Sequence, residues 1–346
     1  MIRLWCRFLL YAVCAITLTA CGKPPEFQQE SYVFGTRVQI TIYGEPEDKA
    51  APVSAAILAD LDRLHARLHA WQPSEITRMN AAFAQGKPYQ TDPEMIAILK
   101  QAKGYADRSD QLFDPAIGDL VAAWGFHEDT FAAVLPDPAL LHTLVAAHPS
   151  LDDLEFDGNQ VSSRNPAVNI DLGGFKGFAL DRAASYLRKK GMNNALINIG
   201  GNVLALGRKG DTPWKVGLQH PRKPGVLAII QLNDGESIGT SGDYQRYFEV
   251  KGQRYSHLID PRSGQPAQTM QAATVIAPPS AEAGAISDAS TKPVFIGGIS
   301  SATHYAERFG IKDVLLVASD GSVYLTPDMQ ARVQWQQNPP HIYRLR

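Results

Sequence analysis

Two nearby segments hold the densest run of reactive side chains in this chain: Thr240-Ser241-Gly242-Asp243-Tyr244 and Tyr255-Ser256-His257-Leu258-Ile259-Asp260-Pro261. A histidine between Ser256 and Asp260 can exchange protons near neutral pH. The same ring also fits a satisfied, partly buried histidine at a strand end. A second group is Asp171-Leu172-Gly173-Gly174-Phe175-Lys176-Gly177. Its glycines let the backbone turn tightly before a helix, where amides can hold phosphate and Lys176 adds charge. It is not a nucleotide-triphosphate loop, because the glycine-lysine-serine/threonine ending is absent. A third is Ser287-Asp288-Ala289-Ser290-Thr291-Lys292. Asp288 and a threonine hydroxyl are hard oxygen ligands suited to magnesium, and Ser287 equally reads as a helix cap.

Three smaller clusters accompany these. Gly35 in Phe34-Gly35-Thr36 lets backbone approach a ligand or simply turn. Trp71, in Trp71-Gln72-Pro73-Ser74-Glu75 with Asn80 beyond, can stack on a planar ring, while Ser74 reads as a helix cap. Phe113-Asp114-Pro115 has the form of a turn, and Trp124-Gly125-Phe126 comes after it as a candidate for the core.

Several elements must position these residues. Val38, Ile40 and Ile42 alternate as a strand ending at Gly44. Ile57, Leu61, Leu64 and Leu68 predict a helix, with Ser54 as a possible cap. Thr91-Asp92-Pro93 opens a second helix, with proline in its first turn. Phe178–Lys190 predicts a third, with basic residues at its end and Gly191 as its stop. Ala195–Ile199 reads as a strand. After Gly200-Gly201-Asn202, the run Val203-Leu204-Ala205-Leu206 reads as another strand rather than a helix, which argues against a dinucleotide-binding fingerprint. Further strands are expected at Val226–Leu232, Ala273–Ala277, Val314–Val317 and Val323–Leu325. This irregular mixture predicts an α+β fold: one compact, two-lobed unit with mixed, largely antiparallel sheets and packed helices.

The chain has 346 residues, a formal charge of −2 and 20% charged residues. That balance leaves no basic stripe for nucleic acid. Residues 1–20 read as an export signal: Arg3 and Arg7, then an apolar run closed by small residues. Leu18-Thr19-Ala20-Cys21 resembles the lipobox of bacterial lipoproteins, which implies cleavage before Cys21 and its lipidation. Cys6 and Cys14 would leave with the signal, so the mature chain has no disulfide, cysteine nucleophile or cysteine metal site. Residues 21–30 then form a tether, 31–330 the functional domain and 331–346 a tail.

The chain resembles the ApbE-type FAD:protein FMN transferase family. The resemblance rests on Asp171-Leu172-Gly173-Gly174 with Lys176-Gly177 and Asp181, on Asn198-Ile199-Gly200-Gly201, on Thr240 to Tyr244, and on Ser256 to Pro261 with Gly264. It implies magnesium-dependent transfer of FMN from FAD to a threonine hydroxyl of a target redox protein, with release of AMP. Sodium-pumping quinone reductase subunits and related electron-transport proteins are the implied targets. The implied location is the periplasmic side of a bacterial membrane, reached through the lipid on Cys21. By family position, Asp288, Thr291 and the carbonyl of Gly174 would hold the metal. Phe34, Trp71, Leu112, Phe113, Asp114, Asp171 and Lys176 would contact FAD. His257 would move the proton, with Asp243 and then Asp260 as lesser candidates. Thr240, Ser241 and Gly242 would shape the loop beside the acceptor threonine. Water in place of threonine would make the chain an FAD pyrophosphatase, and loss of chemistry would leave an FAD-binding lipoprotein.

Two departures fall at the metal segment. The family usually has one more residue between the positions of Gly174 and Lys176. Its metal threonine usually lies four residues after the aspartate, where this chain has Lys292 and places Thr291 one residue earlier. Either a shifted backbone brings Thr291 into place, or the Lys292 ammonium takes part of the cation's electrostatic role.

Overall fold

The computed structural model describes residues 24–128, 130, 132–173 and 175–345. Cys21, the export signal and Gly174 lie outside the described residues. Among the described residues, no helix is long and apolar enough to cross a membrane.

A nine-stranded sheet organises the molecule, and its strands lie side by side in chain order. They are β1 (Glu26–Val33), β2 (Thr36–Tyr43), β3 (Ala195–Ile199), β4 (Asn202–Leu206), β5 (Ser237–Gly242), β6 (Met270–Ala277), β7 (Asp313–Ala318), β8 (Val323–Leu325) and β9 (Ile342–Arg344). Neighbours are antiparallel throughout, except for the parallel pair β8–β9. The expected α+β class with largely antiparallel strands is what forms. Most of the helices fall in the long insertion between β2 and β3.

Strand alternation sends successive side chains to opposite faces. In the fully buried β6, Ala273 and Val275 face a cluster with Ala285 and Ala289 of helix Ala283–Gly297. Ala272 and Ile276 face the other way, onto Trp214 and Ile230 of a three-stranded sheet. Val38, Ile40 and Ile42 of β2 are fully buried against helices Glu47–Leu68 and Gly177–Lys189. Gly200 and Gly201 both take positive φ, 60° and 93°, in the two-residue turn that pairs β3 with β4. Such a turn matches strand twist and needs residues tolerant of φ > 0.

Three boundaries differ from the sequence reading. The helix expected to start near Ser54 begins at Glu47, and Ser54 is fully buried inside it. The acidic pair Glu47-Asp48 suits the first turn without a side-chain cap. The tether is shorter than expected, because residues from Glu26 pair with β2. The expected tail is built into the fold: Gln334–Trp335 pairs with Val226–Leu232, and β9 pairs with β8. Asn338-Pro339-Pro340 only separates those two short strands.

Helices Gly177–Lys189 and Ala283–Gly297 cross where each carries a glycine. A Cβ on Gly177 would lie 2.1 Å from the carbonyl oxygen of Gly284, and one on Gly284 would lie 2.6 Å from that of Gly177. Each helix also caps the other. Asp288 accepts from the Gly177 amide at 2.7 Å, while Asp181 accepts from the Gly284 and Ala285 amides at 2.7 and 2.9 Å. These bonds satisfy first-turn donors that have no partner within their own helix. Salt bridges from Arg182 to Asp60 and Glu94 tie the first of these helices to helices Glu47–Leu68 and Pro93–Arg108. Gly177→Ala should therefore force the crossing apart and cost about 1–3 kcal/mol. The readout is the urea midpoint, which should fall at constant slope; an unchanged midpoint would remove the crossing from this role.

Candidate functional site

Two cavities open beside this crossing and share a common wall. The larger, of about 950 Å³, is lined by rings that include Phe34, His65, Trp71, Phe175 and Phe178. The smaller, of about 150 Å³, is lined by Leu112, Phe113, Asp114, Thr240, Ser241, His257, Asp288 and Lys292 among others. Gly173, Lys176, Gly200, Gln245 and Arg246 border both. The waist between the cavities thus carries two basic side chains. An extended ligand with a ring system at one end and an anion in the middle fits that plan.

Local turns set the walls. Phe34 and Gly35 form the two-residue turn between β1 and β2, with φ of 56° and 66°. Holding a phenylalanine at positive φ costs about 1–2 kcal/mol. The ring meets His65 edge-on at 5.5 Å. Trp71 precedes helix Glu75–Phe83, which Ser74 and Thr77 begin with a capping box. Asn80 on that helix holds Asn169 and both the amide and carbonyl of Ile170, and so sets the segment leading to Asp171.

Asp171 accepts from the Gly173 amide at 2.7 Å and meets His127 Nε2 at 3.0 Å. Burial works to raise this carboxyl, but the His127 bond and charge and the Gly173 amide outweigh it and leave it below the ordinary range. His127 in turn stacks on Trp71, with ring centres 5.0 Å apart. Asp114 is buried and accepts from the amides of Ala116 and Leu151. Burial nonetheless lifts it to about 6. Trp124 belongs to the core, as expected: it is buried, and its indole donates to the Gly264 carbonyl at 2.8 Å.

His257 comes directly after the hairpin of Tyr247–Val250 and Gln253–Ser256. Its backbone amide donates to the Arg246 carbonyl at 3.1 Å, and its Nδ1 lies 3.2 Å from the same oxygen. A carbonyl only accepts, so Nδ1 carries the hydrogen and Nε2 keeps its lone pair. Burial, then the charges of Arg246 and Lys176, hold the ring down at about 3. It is a neutral imidazole at neutral pH. Burial also lowers Lys176, against the pull of Asp288 and with a further push from Lys292.

The structure gathers His257, Lys176, Asp171, Asp114, Leu112, Phe113 and Asp288 at one cavity, and Phe34 and Trp71 at the other. Asp243 does not line the cavity of His257, and both its carboxylate oxygens are held in a fork by Arg222. Asp260 is held likewise by Arg262. Sequence reasoning missed His127, Gln245 and Arg246. His127 directly follows Trp124-Gly125-Phe126, and Gln245 and Arg246 directly follow Thr240 to Tyr244, segments singled out in the sequence, but none carries a spacing pattern of its own.

Of the expected metal residues, the two that are described, Asp288 and Thr291, do not fit a divalent cation as they stand. One Asp288 oxygen accepts from the Gly177 amide, and the other is ion-paired with Lys292, whose ammonium also donates to the Asp288 carbonyl at 2.9 Å. Thr291 is buried; its hydroxyl donates to the Asp288 carbonyl at 2.7 Å and shares a 2.7 Å bond with Ser241. Among the described residues, no cluster of three or more His, Cys, Asp or Glu side chains could hold a metal. Thr291 is thus bonded within its own helix and to Ser241, and Lys292 takes the place beside Asp288.

The model of the ApbE family matches residues 34–315. An FAD:protein FMN transferase of Rhodobacter capsulatus is 39% identical over 311 residues, covering 90% of this chain and 59% of that protein. One of Klebsiella pneumoniae (strain 342) is 32% identical over 259 residues, covering 72% and 73%. The crystal structure of the ApbE protein of Thermotoga maritima superposes with a TM-score of 0.78 at 27% identity, covering 91% of this chain and all of that one. The apo form of the Pseudomonas stutzeri flavinyl transferase ApbE gives 0.77 at 25% identity, covering 91% and 98%. The described fold is thus shared nearly end to end, and the family model spans both cavities and the waist between them: the chain belongs to the ApbE family.

Proposed function

We propose that this chain transfers FMN from FAD to a threonine hydroxyl of a target protein and releases AMP. The observation that carries the reading is the pair of cavities joined at Lys176 and Arg246. FAD has two ring systems joined through a pyrophosphate, so its rings match the two cavities and its phosphates the basic waist. Relatives in the family bear the transferase name, which supports the same activity here.

In this reading the threonine oxygen attacks the phosphorus of the FMN half. A new O–P bond forms, and the bridging P–O bond breaks. AMP leaves with the bridging oxygen, and the hydroxyl proton passes to Nε2 of His257. The neutral ring is in the right state to accept it. Its low proton affinity is due partly to the neighbouring cations, so a bound pyrophosphate would offset those charges and raise it. Lys176 and Arg246 would bind and orient the phosphates and stabilise charge built up during transfer. Magnesium, implied by the resemblance, has no fitting seat at Asp288 and carries no step here.

The protein would act outside the cytoplasm, anchored through Cys21. The basic start, apolar run and lipobox-like Leu18-Thr19-Ala20-Cys21 support this placement. The target would then be a redox protein with a threonine-bearing domain on the same side of the membrane.

Three outcomes are expected. His257→Ala should still bind FAD but transfer FMN roughly 10²- to 10⁴-fold more slowly, followed by intact mass of the acceptor; an unchanged rate would place the base elsewhere. NMR of labelled histidine should find His257 neutral down to well below its ordinary range in the free protein, with its titration moving upward when FAD binds. Titration near the ordinary histidine value, about 6.5, in both states would contradict that electrostatic account. Cys21→Ser should abolish lipid labelling and release the protein from membranes; continued labelling would refute the anchor.

A further inference from the structure

We propose that the Lys292 ammonium is a built-in cation at the phosphate site, replacing a divalent metal, so that FAD binding and FMN transfer proceed without one. This inference rests on the transferase reading above.

The geometry is specific. Asp288 and Lys292 lie one turn apart on helix Ala283–Gly297, and their side chains form a close ion pair. Lys292 also donates to the Asp288 carbonyl at 2.9 Å. An ammonium has three donors. Two are thus engaged by Asp288, and one is left for a ligand oxygen. Lys292 borders the same cavity as His257 and Lys176, with 15% of its side chain exposed. It can therefore meet a phosphate directly without leaving Asp288.

The competing occupant is a divalent ion on Asp288. Such an ion would need carboxylate oxygens that Lys292 and the Gly177 amide already hold. It would also sit against a fixed positive charge, which is strongly unfavourable at contact distance in a half-buried site. The hydroxyl of Thr291 offers no substitute ligand, because it donates into its own helix and bonds Ser241 on β5. Lysine delivers a single charge where a divalent ion delivers two. Lys176 and Arg246, bordering the same cavity, add the rest of the neutralisation that a pyrophosphate requires.

The test compares the full chain in detergent with K292T and K292M, each stripped with EDTA and assayed with and without magnesium. FMN transfer is read by intact mass on a threonine-bearing acceptor that a control transferase modifies. FAD affinity is read by fluorescence quenching, and Mn²⁺ binding by electron paramagnetic resonance in the presence of FAD. The wild type should transfer FMN equally well with and without magnesium, and should bind no Mn²⁺. K292M should lose about tenfold or more of its metal-free transfer. K292T should bind Mn²⁺ and need magnesium for whatever transfer it retains. A wild type that binds Mn²⁺ at the FAD site, or that loses transfer or FAD affinity in EDTA, would overturn the proposal. If the wild type transfers nothing under any condition, the transferase reading fails, while FAD affinity and Mn²⁺ binding still decide the role of Lys292.

Discussion

The structure depends on one contact: the crossing of helices Gly177–Lys189 and Ala283–Gly297. Glycine on both sides lets the backbones approach more closely than any side chain would allow. Each helix then offers a carboxylate to the other's first-turn amides. The start of the first helix at Gly177 is thereby held against the helix that carries Asp288 and Lys292. β5 lies against the second helix, where Ser241 reaches Thr291 and Ser237 reaches Ser287. The cleft's waist is therefore set by packing: Asp288 and Lys292 stand on the second helix, Lys176 directly precedes the first, and Arg246 lies in the short bend after β5.

Burial sets the electrostatic character around that crossing. It raises Asp181 to about 7, even though two amides oppose the shift. It raises Asp114 to about 6 and drives His257 the other way, to about 3. Each shift favours the uncharged form, as expected where water is excluded. Burial lowers Lys176 in the same sense, and the neighbouring charges of Lys292 and Arg246 press on it further. A dianionic ligand would relieve their mutual repulsion, so the cleft is electrostatically prepared for a pyrophosphate. Asp171 differs because His127 and the Gly173 amide compensate its burial, and it stays ionised to hold the His127–Trp71 stack.

Much of this was legible in the sequence, for identifiable reasons. Alternation at Val38, Ile40 and Ile42, the Asp92-Pro93 start and the Gly191 stop each obey local rules, and those elements form as expected. The glycine-rich and histidine segments carried the family resemblance and do converge on the cleft. Long-range pairing was not legible. Glu26–Val33 and Ile342–Arg344 become strands because a neighbouring edge accepts them, which no local pattern announces. Asp243 was an attractive base by sequence, yet Arg222, 21 residues away, occupies both its oxygens. His127 and Arg246 adjoin segments singled out in the sequence, but their contacts with Asp171 and with the cavity wall come only from the fold. At Asp288 the spacing showed the departure, while the ion pair with Lys292 had to be seen in three dimensions.

The most direct test of the account is a crystal structure of the protein with FAD, grown without divalent cations. The account predicts an extended FAD, with one ring system in each cavity and its pyrophosphate at the Lys176–Arg246 waist within reach of Lys292. A folded FAD with both ring systems in one cavity, or phosphates placed away from these three side chains, would contradict it.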